Sequence, residues 1–145
     1  KYRYDPTKLA YVGTADSGTR LCMTLPSSKI KSMTDARSGK AIMAATALGS
    51  SAFDYPNFLN KLAGTQFTVT TGYPGPGDLF LAAERGEADG VCGLEFSTYM
   101  TLRPGWLEGP QKGNPLVQAV STGPTTHRGT FATAVPQWKA WFDAD

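Results

Sequence analysis

Thr70-Thr71-Gly72-Tyr73-Pro74-Gly75-Pro76-Gly77-Asp78 is the stretch on which the reading of the fold turns. A β-like run, Gln66-Phe67-Thr68-Val69-Thr70, leads into it, and a helix-like run from Leu79 to Arg85 leads out and stops at Gly86. The glycines and prolines between them make a strand-to-helix turn of an α/β unit. Such turns lie at the carboxyl ends of strands, where open α/β sheets take their ligands. Free backbone N–H groups at the start of the helix suit an anion.

Working outward, the same alternation repeats on both sides. Upstream, Arg20-Leu21-Cys22-Met23-Thr24-Leu25 reads as a buried strand stopped by Pro26. Ser32 to Arg37 reads as a short capped helix closed by Gly39, and Ala41-Ile42-Met43-Ala44-Ala45 as a second strand. Leu48-Gly49-Ser50-Ser51 then turns into a helix that reaches Ala63 and stops at Gly64. Its expected buried side is Phe53, Leu59, Leu62 and Ala63, with Pro56 placed near the first turn, where a missing N–H does little harm. Downstream, Gly90-Val91-Cys92-Gly93-Leu94 is a fourth strand, Phe96 to Leu102 a helix, and Leu116 to Val120 a fifth strand. Gly123 to Thr133 reads as a loop, and Pro136 to Phe142 as a closing helix. Strands alternating with helices predict an α/β fold with a mostly parallel five-stranded sheet and helices on both faces. Residues 1–145 are expected to form one domain.

Composition narrows the function classes. Hydrophobic residues make up 41% and charged residues 18%, an ordinary globular balance. Fourteen Lys and Arg against twelve Asp and Glu give a net charge of +2, without a basic run, which argues against nucleic acid. The longest apolar run, Ala41 to Leu48, is far too short to span a bilayer. The chain starts at Lys1 with no visible signal peptide, which implies processing or origin in something longer. Two cysteines and His127 show no metal-ligand spacing, so neither a metal nor a cofactor is expected.

The turns themselves exclude several chemistries. Gly75-Pro76-Gly77 invites a dinucleotide reading, but Phe80 stands where a third glycine is needed, and Pro76 removes a donor. Gly77-Asp78-Leu79 does not supply the lysine and hydroxyl of a P-loop. No serine sits in a nucleophile elbow, His127 reads as a solvated loop residue, and Glu84, Glu87 and Asp89 as solvated charges. What remains is a polar or anionic ligand bound by backbone. Gly49-Ser50-Ser51 and Gly75-Pro76-Gly77-Asp78 both follow strands and both open helices, so two helix N-termini can converge on one carboxylate. The competing reading makes Ser51 a helix cap and the glycines mere turn formers. Asp78 suits the helix dipole but repels an anion unless it points away.

The run from Gly72 to Asp78, followed by Leu81-Ala82-Ala83-Glu84-Arg85-Gly86-Glu87-Ala88-Asp89-Gly90, resembles the tripartite tricarboxylate transporter receptors, or Bug receptors. Tyr11-Val12-Gly13, Thr34-Asp35-Ala36, Leu62 to Phe67 and Arg103-Pro104-Gly105-Trp106-Leu107 fit that pattern in order, so the resemblance covers roughly Tyr4 to Val120. It implies a periplasmic, non-enzymatic type II solute-binding protein that clamps a small organic acid between two lobes and works with membrane transporter subunits. This chain would be the second lobe alone. By that resemblance Gly49, Ser50, Ser51, Gly72, Tyr73, Gly75 and Gly77 map onto the ligand-binding turns. The resemblance also implies that the segment Gly93 to Ser97, with Glu95 and Phe96, faces the cleft. Pro76 and Glu95 depart from the family pattern, and a carboxylate at position 95 disfavours an anionic ligand. In such lobes the strands that would carry Cys22 and Cys92 are neighbours, so a disulfide or two buried thiols are both open. Two rival classes stand beside this reading. One is a small α/β enzyme acting on a phosphorylated or acyl substrate through Ser50, Ser51, Asp78 or Glu95. The other is an interaction domain, a dimer of the lobe built on an apolar cleft around Tyr73 and Phe96.

Overall fold

The computed structural model describes residues 18–119, with Lys8 and Ala10 before them. Tyr11 to Gly13, His127 and the expected closing helix lie outside the described residues. The elements run β1 (Arg20–Thr24), α1 (Met33–Ser38), β2 (Lys40–Ala44), α2 (Ser51–Ala63), β3 (Gln66–Thr70), α3 (Pro76–Glu84), β4 (Gly90–Glu95), α4 (Phe96–Leu102), a 3-10 turn (Pro104–Trp106) and β5 (Asn114–Ala119). They form one five-stranded sheet in the order β3-β2-β4-β1-β5.

The sheet is mixed, so the expectation of a mostly parallel one holds only in part. β2 pairs in parallel with β3 and β4, but β1 pairs antiparallel with both β4 and β5. The four strands linked by α2, α3 and α4 all run the same way, as crossover helices require. The fifth, β1, precedes those units and inserts between β4 and β5 in the opposite sense. Alternation along the chain reveals the crossovers, and it says nothing about where a leading strand is inserted.

One apolar layer lies against α3 and α4, and another against α1 and α2. The first holds Leu21, Met23, Leu79, Phe80, Val91, Tyr99 and Trp106, with Phe80 edge-on to both Tyr99 and Trp106 at 5.1 Å. Phe80, the residue that broke the dinucleotide pattern, is a core ring. The second layer holds Cys22, Ile30, Met33, Met43, Leu59, Phe67, Cys92 and Leu116. Successive β1 residues point to opposite layers, as the strand period demands.

Local chemistry sets the helix limits. Ser32 caps α1 by accepting from Asp35 N, and Gly64 ends α2 in the left-handed region. The buried stripe of α2 is Ala52, Pro56, Leu59 and Ala63, whereas Leu62 is exposed. Pro56 lies in the second turn, past the place its missing N–H suggested. Asn60 on α2 donates to Phe67 O and accepts from Phe67 N, which occupies backbone groups of the edge strand β3. Asp89 is structural, not a solvated charge. Its carboxylate accepts from Ile42 N and Ser28 Oγ, and its backbone joins Ile42 and Leu25.

Cys22 and Cys92 face each other across β1 and β4 and form a disulfide. Both are buried, so the bond pins the one antiparallel strand to the parallel block from inside the core. Beside it the β1–β4 register slips between Leu21 and Cys22, where Leu21 faces Leu94 and Cys22 faces Cys92. Gly93 is the extra residue of that bulge.

Candidate functional site

The carboxyl ends of β2, β3 and β4 meet at one edge of the sheet, and the turns after them carry most of the expected site residues. Two hydrogen bonds extend the β2–β3 ladder beyond the strands: Ala45 N donates to Thr70 O at 2.8 Å and Gly72 N to Thr46 O at 3.0 Å. These bonds hold the β2–α2 and β3–α3 turns side by side, so the first turns of α2 and α3 open at the same edge. Gly49 and Gly72 take positive φ, 77° and 112°, as their turns require.

Gly93 places α2. Its φ is +77°, and a Cβ there would come within 2.3 Å of Ser51 O and 3.1 Å of the Tyr55 Cβ. The first turn of α2 therefore rests directly on the β4 backbone. In the sequence Gly93 is only the start of a cleft-facing segment; the bulge geometry shows its use.

Ser50, not Ser51, is the N-cap of α2. Its hydroxyl accepts from Phe53 N and donates to Ala47 O, so both of its roles are already used inside the fold. Ser51 is the first helical residue. Among the described residues the N–H groups of Ser51 and Ala52 have no acceptor, and neither has the Ser51 hydroxyl. On α3 the cap is Gly75, without any side-chain cap bond, and Pro76 is the first helical residue. Gly77 N is the open donor there, because Asp78 N and Leu79 N both return to Gly75 O. The Asp78 carboxylate folds back toward Gly75, with Oδ2 3.7 Å from where a Cβ would stand. An acidic residue thus stands in the first turn of both helices, Asp54 on α2 and Asp78 on α3, and the α2 terminus differs in offering two open N–H groups and a hydroxyl against one N–H.

Tyr73 is half-buried against the α3–α4 layer, and its hydroxyl donates to Glu87 at 3.4 Å. Burial first, then the Glu87 carboxylate, raises its pKa above the usual tyrosine value. Phe96 is half-buried on the same layer, and its N–H donates to Thr19 O. Both rings serve the core, which leaves little of the exposed apolar cleft expected around them.

Arg20 is the residue that sequence reasoning missed. It begins β1, opposite Glu95 at the end of β4. One guanidinium nitrogen lies 2.9 Å from Glu95 Oε1, another donates to Gly93 O at 3.0 Å, and the group sits 5.9 Å over the Tyr55 ring. A single arginine opening a strand carries no motif. Only the antiparallel insertion of β1 brings it to the carboxyl edge. Glu95, expected to repel an anion, is half neutralised by this partner.

No group of three His, Cys, Asp or Glu among the described residues is placed to hold a metal. No described helix is long and apolar enough to cross a membrane.

This fold has a solved counterpart. The chain is similar to the R. palustris protein Rpa4515, solved with adipate, with a TM-score of 0.61 and 16% sequence identity. The likeness covers 85% of this chain and 39% of that one, so the chain spans well under half of the protein it matches. At that identity the likeness shows a shared fold. No family model matches the chain, and no curated protein matches it.

Proposed function

We propose that this chain is one lobe of a two-lobe solute receptor that closes on a small organic acid, as its resemblance to the Bug receptors implies. The observation that carries the reading is the pair of bonds, Ala45 to Thr70 and Gly72 to Thr46, that hold two helix openings at one edge. Unpaired donors at Ser51, Ala52 and Gly77 are what a carboxylate needs there. The fold likeness to a protein solved with adipate supports the ligand class, and coverage of 39% of that protein supports a single lobe. In this reading the chain performs no catalysis, resides in the periplasm and passes its ligand to membrane transporter subunits.

One wall of a cleft binds weakly, because water competes for every donor. Calorimetry and amide NMR against a panel of dicarboxylates test the proposal. Millimolar ligand should shift the amides of the β2–α2 and β3–α3 turns with little or no measurable heat. Amides that stay unmoved would sink the acid-binding reading, and micromolar affinity for the isolated chain would overturn the one-wall reading.

A further inference from the structure

The cations of residues 18–119 are gathered at one edge of the fold, whereas the carboxylates stand at both. Apart from Arg20, the lysines and arginines of residues 18–119 stand at the edge opposite the candidate site, in the turns leaving β1 and entering β4 and β5, at the start of β2 and in the last turns of α1 and α2. The site edge carries Asp54 in the first turn of α2, Asp78 in the first turn of α3, and Glu95 at the end of β4. Among the described residues, one cation therefore stands with three carboxylates there. That cation is fixed in place by Glu95, Gly93 O and the Tyr55 ring, one turn along α2 from Ser51. Glu95 spends one oxygen, Oε1, on Arg20, while Oε2 has no partner among the described residues, and the side chain is 36% exposed.

We infer that Glu95, balanced by Arg20, sets the charge class of the ligand. The edge selects an acid that also bears an ammonium or similar donor group over a plain dicarboxylate. This rests on the carboxylate-binding reading above. The ligand carboxylate meets the open N–H groups of α2, and its cationic end meets Glu95 Oε2 in an edge whose described side chains sum to a negative charge. A dicarboxylate meets the same donors but sets its second charge against Glu95 and Asp78.

Adipate and 6-aminohexanoate are matched probes, with six-carbon chains that differ in the charge of one end. In amide NMR titrations of the whole chain, both should shift Ser51, Ala52 and Gly77. 6-Aminohexanoate should bind about tenfold more tightly, because the exchange of ends changes the charge by two units, each acting over about 6 Å in water. Glu95→Gln should erase or reverse the preference. Arg20→Met, which leaves Glu95 uncompensated, should widen it, and its amide spectrum reports whether the fold survives. A pair that merely holds β1 to β4 would lose affinity for both probes equally in both variants. An unchanged ratio in Glu95→Gln, or a native preference for adipate, would overturn this inference while the carboxylate reading stands. If neither probe moves those amides, both fall together.

Discussion

Gly93→Ala tests how the α2 opening is placed. The added methyl would sit 2.3 Å from Ser51 O and 2.8 Å from Ser51 C, both backbone atoms that cannot swing aside as a side chain would. Two costs combine. An alanine at φ +77° costs about 1–2 kcal/mol as a left-handed conformation. Pushing the first turn of α2 off β4 costs about 1–3 kcal/mol as overpacking. The expected loss is about 2–5 kcal/mol, a large share of the roughly 5–15 kcal/mol that holds a domain of this size. Gly64→Ala is the control: its φ is +69°, but nothing lies within 4 Å of the added carbon. It should lose only the conformational part, about 1–2 kcal/mol. Urea unfolding with the disulfide intact reads both values, and an unchanged slope confirms that the two unfolded states are comparable. Amide shifts in Gly93→Ala should concentrate at Ser51 and Tyr55. Equal losses in the two variants would refute the claim that contact between α2 and β4 requires Gly93.

Other outcomes follow from the same contacts. Thiol titration in denaturant without reductant should find no free cysteine; two free thiols would contradict the Cys22–Cys92 bond, whose separation of 70 residues corresponds to about 4 kcal/mol in the loop-entropy model when the bond is reduced. Ser50→Ala should cost about 1 kcal/mol in urea unfolding as a lost cap, whereas Ser51→Ala should leave stability nearly unchanged and weaken only acid-induced amide shifts. The Arg103 guanidinium, 2.6 Å from Glu84, holds that carboxyl below its ordinary value. Its contribution is therefore present above the ordinary carboxylate range and is lost as pH falls through the depressed Glu84 value. Arg103→Met should accordingly destabilise at pH 7, by no more than about 1 kcal/mol for so exposed a pair, and converge with the parent near pH 2.

Periodic and punctuated features were legible in the sequence, and long-range placements were not. The Gly72–Asp78 turn, the stop at Gly64 and the helix from Phe96 to Leu102 follow from local rules about glycine, proline and apolar spacing. Leu79, Ala82 and Ala83 fall on one buried face of α3, as helical spacing places them. The antiparallel insertion of β1 was invisible, because a short apolar strand pairs equally well in either sense. Everything that depends on it was invisible too: Arg20 at the site edge, its pairing with Glu95, and the bulge at Gly93. Ser50 and Ser51 were separable only by geometry, since either hydroxyl suits a cap. Pro56 shows the reverse case, in which packing overrides a local rule. Its ring is buried in the second turn of α2, where the missing N–H is tolerated.

The asymmetry between the two helix openings also limits what this wall can do alone. Pro76 withholds a donor from α3, Asp78 competes for the remaining field, and Ser50 is spent on capping. Among the described residues that leaves three backbone N–H groups and the Ser51 hydroxyl for a carboxylate, which has about four lone-pair sites. Hydrogen bonds to a charged group contribute about 1.5–3 kcal/mol each. Three or four of them together contribute about 4.5–12 kcal/mol, which no more than offsets the roughly 4–15 kcal/mol of freedom lost on association. An edge open to water therefore binds no more tightly than about millimolar, the affinity that a ΔG of about −4 kcal/mol would give. Affinity useful to a receptor requires a second surface that excludes water and strengthens the same bonds, and for that reason the site on this chain is read as half of a cleft.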